Sequence, residues 1–186
     1  MILPGKPVHH CRLNSIYLFI LLVALISDSA EAEIEIGKPA PAFEIYDQNM
    51  QLHSLDNYSG KWLVIFFYTR DNTPGCTLEV RSFNRDITQF RELDAEVLGI
   101  SLDSVESHAE FSNNEKLTFP LLADPTGTVA GSYASLLSAG KVKFARRNTM
   151  IINRKGILEK IYHRVDPRTH SQQVIDDLRE LQANEK

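Results

Sequence analysis

"WLVIFFYTRDNTPGCTLEV", residues 62 to 80, decides how the rest of the chain is read. Trp62 to Tyr68 is an unbroken apolar run, dense in β-branched and aromatic side chains. Such a run predicts a central strand buried on both faces. A polar turn follows, and then Pro74-Gly75. Beyond it Val80, Phe83, Ile87 and Phe90 recur at spacings of 3, 4 and 3, which mark one face of a helix over residues 76–93.

Cys76 therefore falls where a buried strand gives way to a helix. Open α/β sheets place their ligand crevices at the carboxyl ends of strands. The unpaired N–H groups and dipole of a helix start favour an anion, so a thiolate is favoured there. Pro74 fixes φ for helix entry, and Gly75 lets the backbone approach a ligand closely. Thr73 can offer its hydroxyl to a neighbouring thiolate or a bound oxygen. The competing reading is a small buried hydrophobe, since free cysteines are among the most buried residues. A polar turn at a helix start is a poor place to hide an apolar atom, and it favours the reactive reading.

Outward from this stretch, strand and helix signals alternate. Residues 36–61, rich in Pro, Asn, Asp and Gly, read as turns around a small hairpin or an extended entry. Residues 95–103 read as a second strand, and 104–115 as a helix capped by Ser104. "LTFPLLAD" gives a short strand and "PTGTVAGSYAS" a short helix. Residues 144–163 read as a hairpin turning at Asn153 to Gly156. Asp166-Pro167 resembles a cap and first helical position, before a terminal helix whose core face carries Val174, Leu178 and Leu181, with Ile175 beside them. The order β-α-β-α-β-α-β-β-α predicts an α/β domain of three layers, a mixed sheet with helices on both faces.

The 186 residues are 43% hydrophobic and carry a net charge of −4, an ordinary globular balance that argues against a nucleic-acid binder. The nearest thing to a basic run, Lys141 to Arg147, lies in a predicted strand and reads as a partly solvated strand face. Near the start, Lys6 and Arg12 precede eleven apolar residues, Ile16 to Ile26, and then Ala30-Glu31-Ala32. The run is too short for a comfortable membrane span, which needs about 20 residues. It suits a signal peptide covering residues 1–32, cleaved after Ala32, with a single domain over 33–186. An uncleaved anchor and a misassigned start are the alternatives. Export to a periplasm, or to another extracytoplasmic compartment such as a thylakoid lumen, is expected. Cleavage would remove Cys11 and leave Cys76 as the one thiol. His53, His108, His163 and His170 are scattered without ligand spacing or an accompanying acidic cluster, so no metal site is expected. His108 reads as a surface or helix-packing residue.

"TPGCT" after an apolar strand resembles the peroxidatic motif of peroxiredoxins, in particular the peroxiredoxin Q or bacterioferritin-comigratory-protein class. The likeness runs from about Ile36 to Gln182, through "IGKPAPAFEIYDQNMQLHSL", "VLGISLDSVESHAEF", "FPLLADPTGTVAGSYAS" and "RNTMIINRKGIL". It implies a thioredoxin-like fold and a thiol-dependent peroxidase without a cofactor. Cys76 would attack the peroxide O–O bond and become a sulfenic acid. Thr73 matches the threonine that hydrogen-bonds thiolate and peroxide. Arg147 matches an arginine that stabilises the thiolate and the leaving oxygen, with Arg146 the alternative one position away. Glu79 matches a polar residue that orients the arginine.

Two positions depart from the family pattern. Many members carry a resolving cysteine five residues after the first, where this chain has Arg81. The resemblance then implies a one-cysteine cycle, completed by an external thiol such as a thioredoxin-like protein or glutathione, in a monomer or weak dimer. Thr69 stands where the family usually has a proline that shields the site from water. Two other readings compete. A disulfide oxidoreductase would want a second cysteine at position 79, which is glutamate. A non-catalytic peroxide-sensing or binding protein on the same scaffold takes its support from Thr69.

Overall fold

β3, Trp62–Phe67, is buried at all six positions, as its unbroken apolar run predicts. The structure, a computed structural model, describes residues 1, 34–140 and 142–185. The apolar run Ile16 to Ile26, Cys11 and the cleavage signal lie outside the described residues. β3 lies at the centre of a five-stranded sheet of order β5-β4-β3-β8-β9, with β4 at Ala95–Ser101, β5 at Leu121–Ala123, β8 at Asn148–Ile152 and β9 at Leu158–His163. β3, β4 and β5 are parallel, and β8 and β9 add antiparallel to the other side of β3.

Helices cover both faces. The two parallel crossovers step the same way across the sheet, so right-handed connections put α1 (Pro74–Glu92) and α2 (Val105–Glu115) on one side. α4, His170–Asn184, joins them there. Alternate strand side chains serve the two layers. Trp62, Val64, Phe66 and Tyr68 pack with Val80, Phe83, Phe90, Phe111 and Val174. Leu63, Ile65 and Phe67 meet Val129 and Tyr133 around the short helix α3 (Thr128–Ser132), together with Ala40 and Phe43 from the entry segment. Phe66 stacks on Phe83 with ring centroids 4.4 Å apart, which ties the strand directly to the helix that carries Cys76.

The hairpin expected in residues 36–61 is β1 (Glu44–Tyr46) against β2 (Leu52–Ser54). Two boundaries depart from the sequence reading. The terminal helix begins at His170, because Asp166-Pro167 forms a turn in which the Asp166 carbonyl accepts from the N–H groups of Thr169 and His170. The basic run belongs to an additional hairpin, β6 (Leu136–Ala139) with β7 (Val142–Ala145), where only a strand face was expected.

Candidate active site

α1 opens as its sequence dictates. Thr73 is extended and precedes the helix, Pro74 takes the first position, where an N–H would have no helical partner, and the Thr77 N–H closes the first turn on the Thr73 carbonyl at 2.9 Å. Cys76 sits in this turn and, against the expectation that a polar turn would not hide it, is fully buried in the core cluster of Val80 and Phe83. Arg147, between β7 and β8, reaches it from across the sheet. Its Nη2 lies 3.1 Å from the Cys76 Sγ, and its Nη1 is hydrogen-bonded to the Glu79 carboxylate. One guanidinium thus joins the sulfur to a carboxylate one turn further along the helix. Arg147, not its neighbour Arg146, makes the contact.

Gly75 has a local reason. A Cβ there would lie 2.8 Å from Arg147 Nη2 and 3.5 Å from its Cζ. The close approach that the sequence suggested for a ligand is used by the arginine. Glu79 is buried, and its Oε1 has no hydrogen-bond partner among the described residues. Burial pushes its carboxyl up to about 7, against the opposing pull of Arg147. Holding Arg147 in place therefore carries a folding penalty whenever Glu79 is ionised.

The Thr73 hydroxyl differs from expectation. Its proton goes to the Arg70 carbonyl at 3.0 Å, closing the turn between strand and helix, rather than to the Cys76 sulfur. Thr69 is half-buried and borders an open cleft of about 900 Å³ that Arg147 also lines. Arg81, at the expected resolving position, forms a two-pronged ion pair with Glu115 and fastens α1 to the end of α2.

The histidines require a correction. His108 is fully buried, and its Nδ1 lies 2.8 Å from Asp71 Oδ2. Asp71, Asp103 and His108 bring ligand-type atoms within 4.8 Å of one another, so an acidic cluster does join this histidine. The pairing is long-range, and no local spacing announces it. The oxygens are already engaged: Asp71 accepts from Tyr68 at 2.8 Å and from Ser107 at 2.7 Å, and Asp103 Oδ2 accepts from Ser101 at 2.6 Å and from the Asp71 N–H at 3.0 Å. Burial works against the Asp71 carboxylate, but hydrogen bonds from His108, Ser107 and Tyr68 outweigh it and hold its carboxyl below the usual value. The network fastens the loop between β3 and Cys76 to α2. The sequence singled out neither Asp71 nor Tyr68 for this.

Chemically, a guanidinium that donates to a sulfur at a helix start can stabilise negative charge on that sulfur and on an oxygen leaving from it. Residues 36–161 match the AhpC/TSA family. Peroxiredoxin Bcp of Bacillus subtilis is 34% identical over 152 residues, covering 80% of this chain and 97% of that protein. The chloroplastic Peroxiredoxin Q of Populus jackii is 31% identical over 160 residues, covering 84% and 73%. Among solved structures, the Xanthomonas campestris bacterioferritin comigratory protein, studied for its alkyl peroxide reduction activity, superposes with a TM-score of 0.73 at 28% identity, over 80% of this chain and 98% of that one.

Proposed function

The chain belongs to the AhpC/TSA family as a peroxiredoxin of the Bcp and Q kind, a thiol-dependent peroxidase, and we propose that Cys76 carries its chemistry in a one-cysteine cycle. The observation that supports these roles most is the 3.1 Å contact between Arg147 Nη2 and the Cys76 Sγ. The thiolate attacks one oxygen of a hydroperoxide. An S–O bond forms as the O–O bond breaks, the sulfur is oxidised to a sulfenic acid, and the leaving oxygen takes up a proton and departs as water or an alcohol. Arg147 stabilises the thiolate before attack and the leaving oxygen during it, and Glu79 positions Arg147. With its hydroxyl donating to the Arg70 carbonyl, the Thr73 oxygen is left to accept a hydrogen bond from the incoming hydroperoxide.

Once residues 1–32 are removed, and Cys11 with them, Cys76 is the remaining cysteine, and an external thiol then returns the sulfenic acid to the thiol. Hydrogen peroxide and small organic hydroperoxides are the proposed substrates. Purified protein should consume peroxide only when a thiol is supplied, and Cys76→Ser should abolish turnover. A serine variant that retains full activity would overturn the assignment. The non-catalytic reading is not favoured, because the relatives that match over most of the chain are peroxiredoxins. Export with loss of residues 1–32 is likewise proposed. The protein recovered from the cells that make it should begin at Glu33, and an intact Met1 would contradict this.

A further inference from the structure

The cleft beside the site is cationic in a chain whose net charge is −4. Arg146, Arg147 and Arg164 line it with His163, and no acidic side chain does so among the described residues. Arg147 is committed to Glu79 and Cys76. Arg146 and Arg164 are exposed and form no ion pair among the described residues. The backbone fixes the two around Arg147. The Arg164 N–H donates to the Arg147 carbonyl at 3.2 Å, and the Arg146 N–H donates to the Ser135 carbonyl at 2.7 Å. Leu137, Phe144 and Val165 add an apolar wall.

Spare guanidinium forks select carboxylates, and an apolar wall selects a methylene stem between the carboxylate and whatever reacts at the sulfur. The volume, about 900 Å³, suits a small molecule. On the peroxidase reading, and with Cys11 removed along with residues 1–32, the missing reactant is a second thiol. We propose that this cleft binds the reductant, a carboxylate-bearing low-molecular-weight thiol, by its carboxylate on Arg146 and Arg164. Bound there, its sulfur attacks the Cys76 sulfenic acid. An S–S bond forms, the S–O bond breaks, and the hydroxyl leaves as water with the proton of the incoming thiol. A second thiol molecule then attacks the mixed disulfide, releasing the Cys76 thiolate and the small disulfide. Two thiols are oxidised for each peroxide reduced.

The test uses the full chain with constant hydrogen peroxide and two probes of equal length, 3-mercaptopropionate and the neutral 3-mercaptopropanol. Rate constants are expressed per thiolate, so that thiol acidity cancels. The wild type should prefer the carboxylate thiol by up to about 30-fold, what two exposed ion pairs at the upper end of their range supply. In the Arg146→Gln/Arg164→Gln double variant the ratio should fall towards one, and in the Arg146→Lys/Arg164→Lys variant most of the preference should return. Equal rates in the wild type would overturn the assignment. So would a preference that the double variant loses for a carboxylate-bearing hydroperoxide and keeps for the thiol. A Cys76 that gains oxygen from peroxide yet shows no thiol preference removes the cleft assignment alone. A Cys76 that gains none removes the peroxidase reading, and the cleft assignment with it.

Discussion

Gly75→Ala separates catalysis from folding at a single methyl group. The new Cβ would stand 2.8 Å from Arg147 Nη2, where ordinary contact begins near 3.4 Å. The guanidinium must therefore retreat by several tenths of an ångström from a position that places it 3.1 Å from the Cys76 sulfur. The clash falls on the far end of a flexible side chain rather than on backbone, so the fold absorbs it. Gly75 is helical and not at positive φ, and alanine in a helix is favoured over glycine by up to about 1 kcal/mol. Stability should stay level or rise slightly. Losing a hydrogen bond to a charged group costs about 1.5–3 kcal/mol, so the second-order rate of Cys76 with hydrogen peroxide should fall roughly 10- to 150-fold. Stopped-flow oxidation read by competition, alongside urea unfolding, measures both quantities. An unchanged rate in a folded variant would refute the role of Arg147. A loss of several kcal/mol in stability would refute the claim that only the arginine is displaced.

Other perturbations probe the neighbouring groups. Glu79 sits at about 7 in the folded protein against 4.5 as the ordinary value. Between these values the folded state holds a proton that the unfolded chain has lost, so stability is full below about 4.5 and declines as pH rises towards 7. Glu79→Gln removes this slope. Its stability relative to wild type should improve by about 2.5 kcal/mol between pH 5 and pH 8, while its peroxide rate falls because Arg147 loses its partner. A flat difference across that range in urea titrations would show Glu79 ionised throughout. Phe83→Ala removes the ring stacked on Phe66 and should cost about 3–5 kcal/mol in unfolding free energy, with a cost under 1 kcal/mol contradicting the packing described.

What could be read from the sequence was what local chemistry dictates. The apolar run at Trp62, the spacing of Val80, Phe83, Ile87 and Phe90, and the Thr-Pro-Gly before Cys76 each carry their own signal, and each lies where that signal put it. The alternating order of elements was enough for the three layers. The β6–β7 hairpin was missed because "LLSA" lacks a two-residue alternation, so the strand read over the basic run had no visible partner. The start of the last helix was misplaced because Asp166-Pro167 suits a turn as well as a cap. At the site, motif residues could be named but their partners could not. The direction of the Thr73 hydroxyl, the commitment of His108 to Asp71 and the use of Gly75 by Arg147 all depend on contacts between distant segments. The unpaired Oε1 of Glu79 is a cost that only the assembled core reveals.

The central claim is that the Cys76 sulfur takes an oxygen atom from peroxide and gives it up to an external thiol. Mass spectrometry of the intact protein and its peptides, after brief treatment with one equivalent of hydrogen peroxide, reads this directly. The account predicts one added oxygen on Cys76, lost again when thiol is supplied. An unmodified Cys76, or oxygen deposited on the methionines while Cys76 stays reduced, would contradict it.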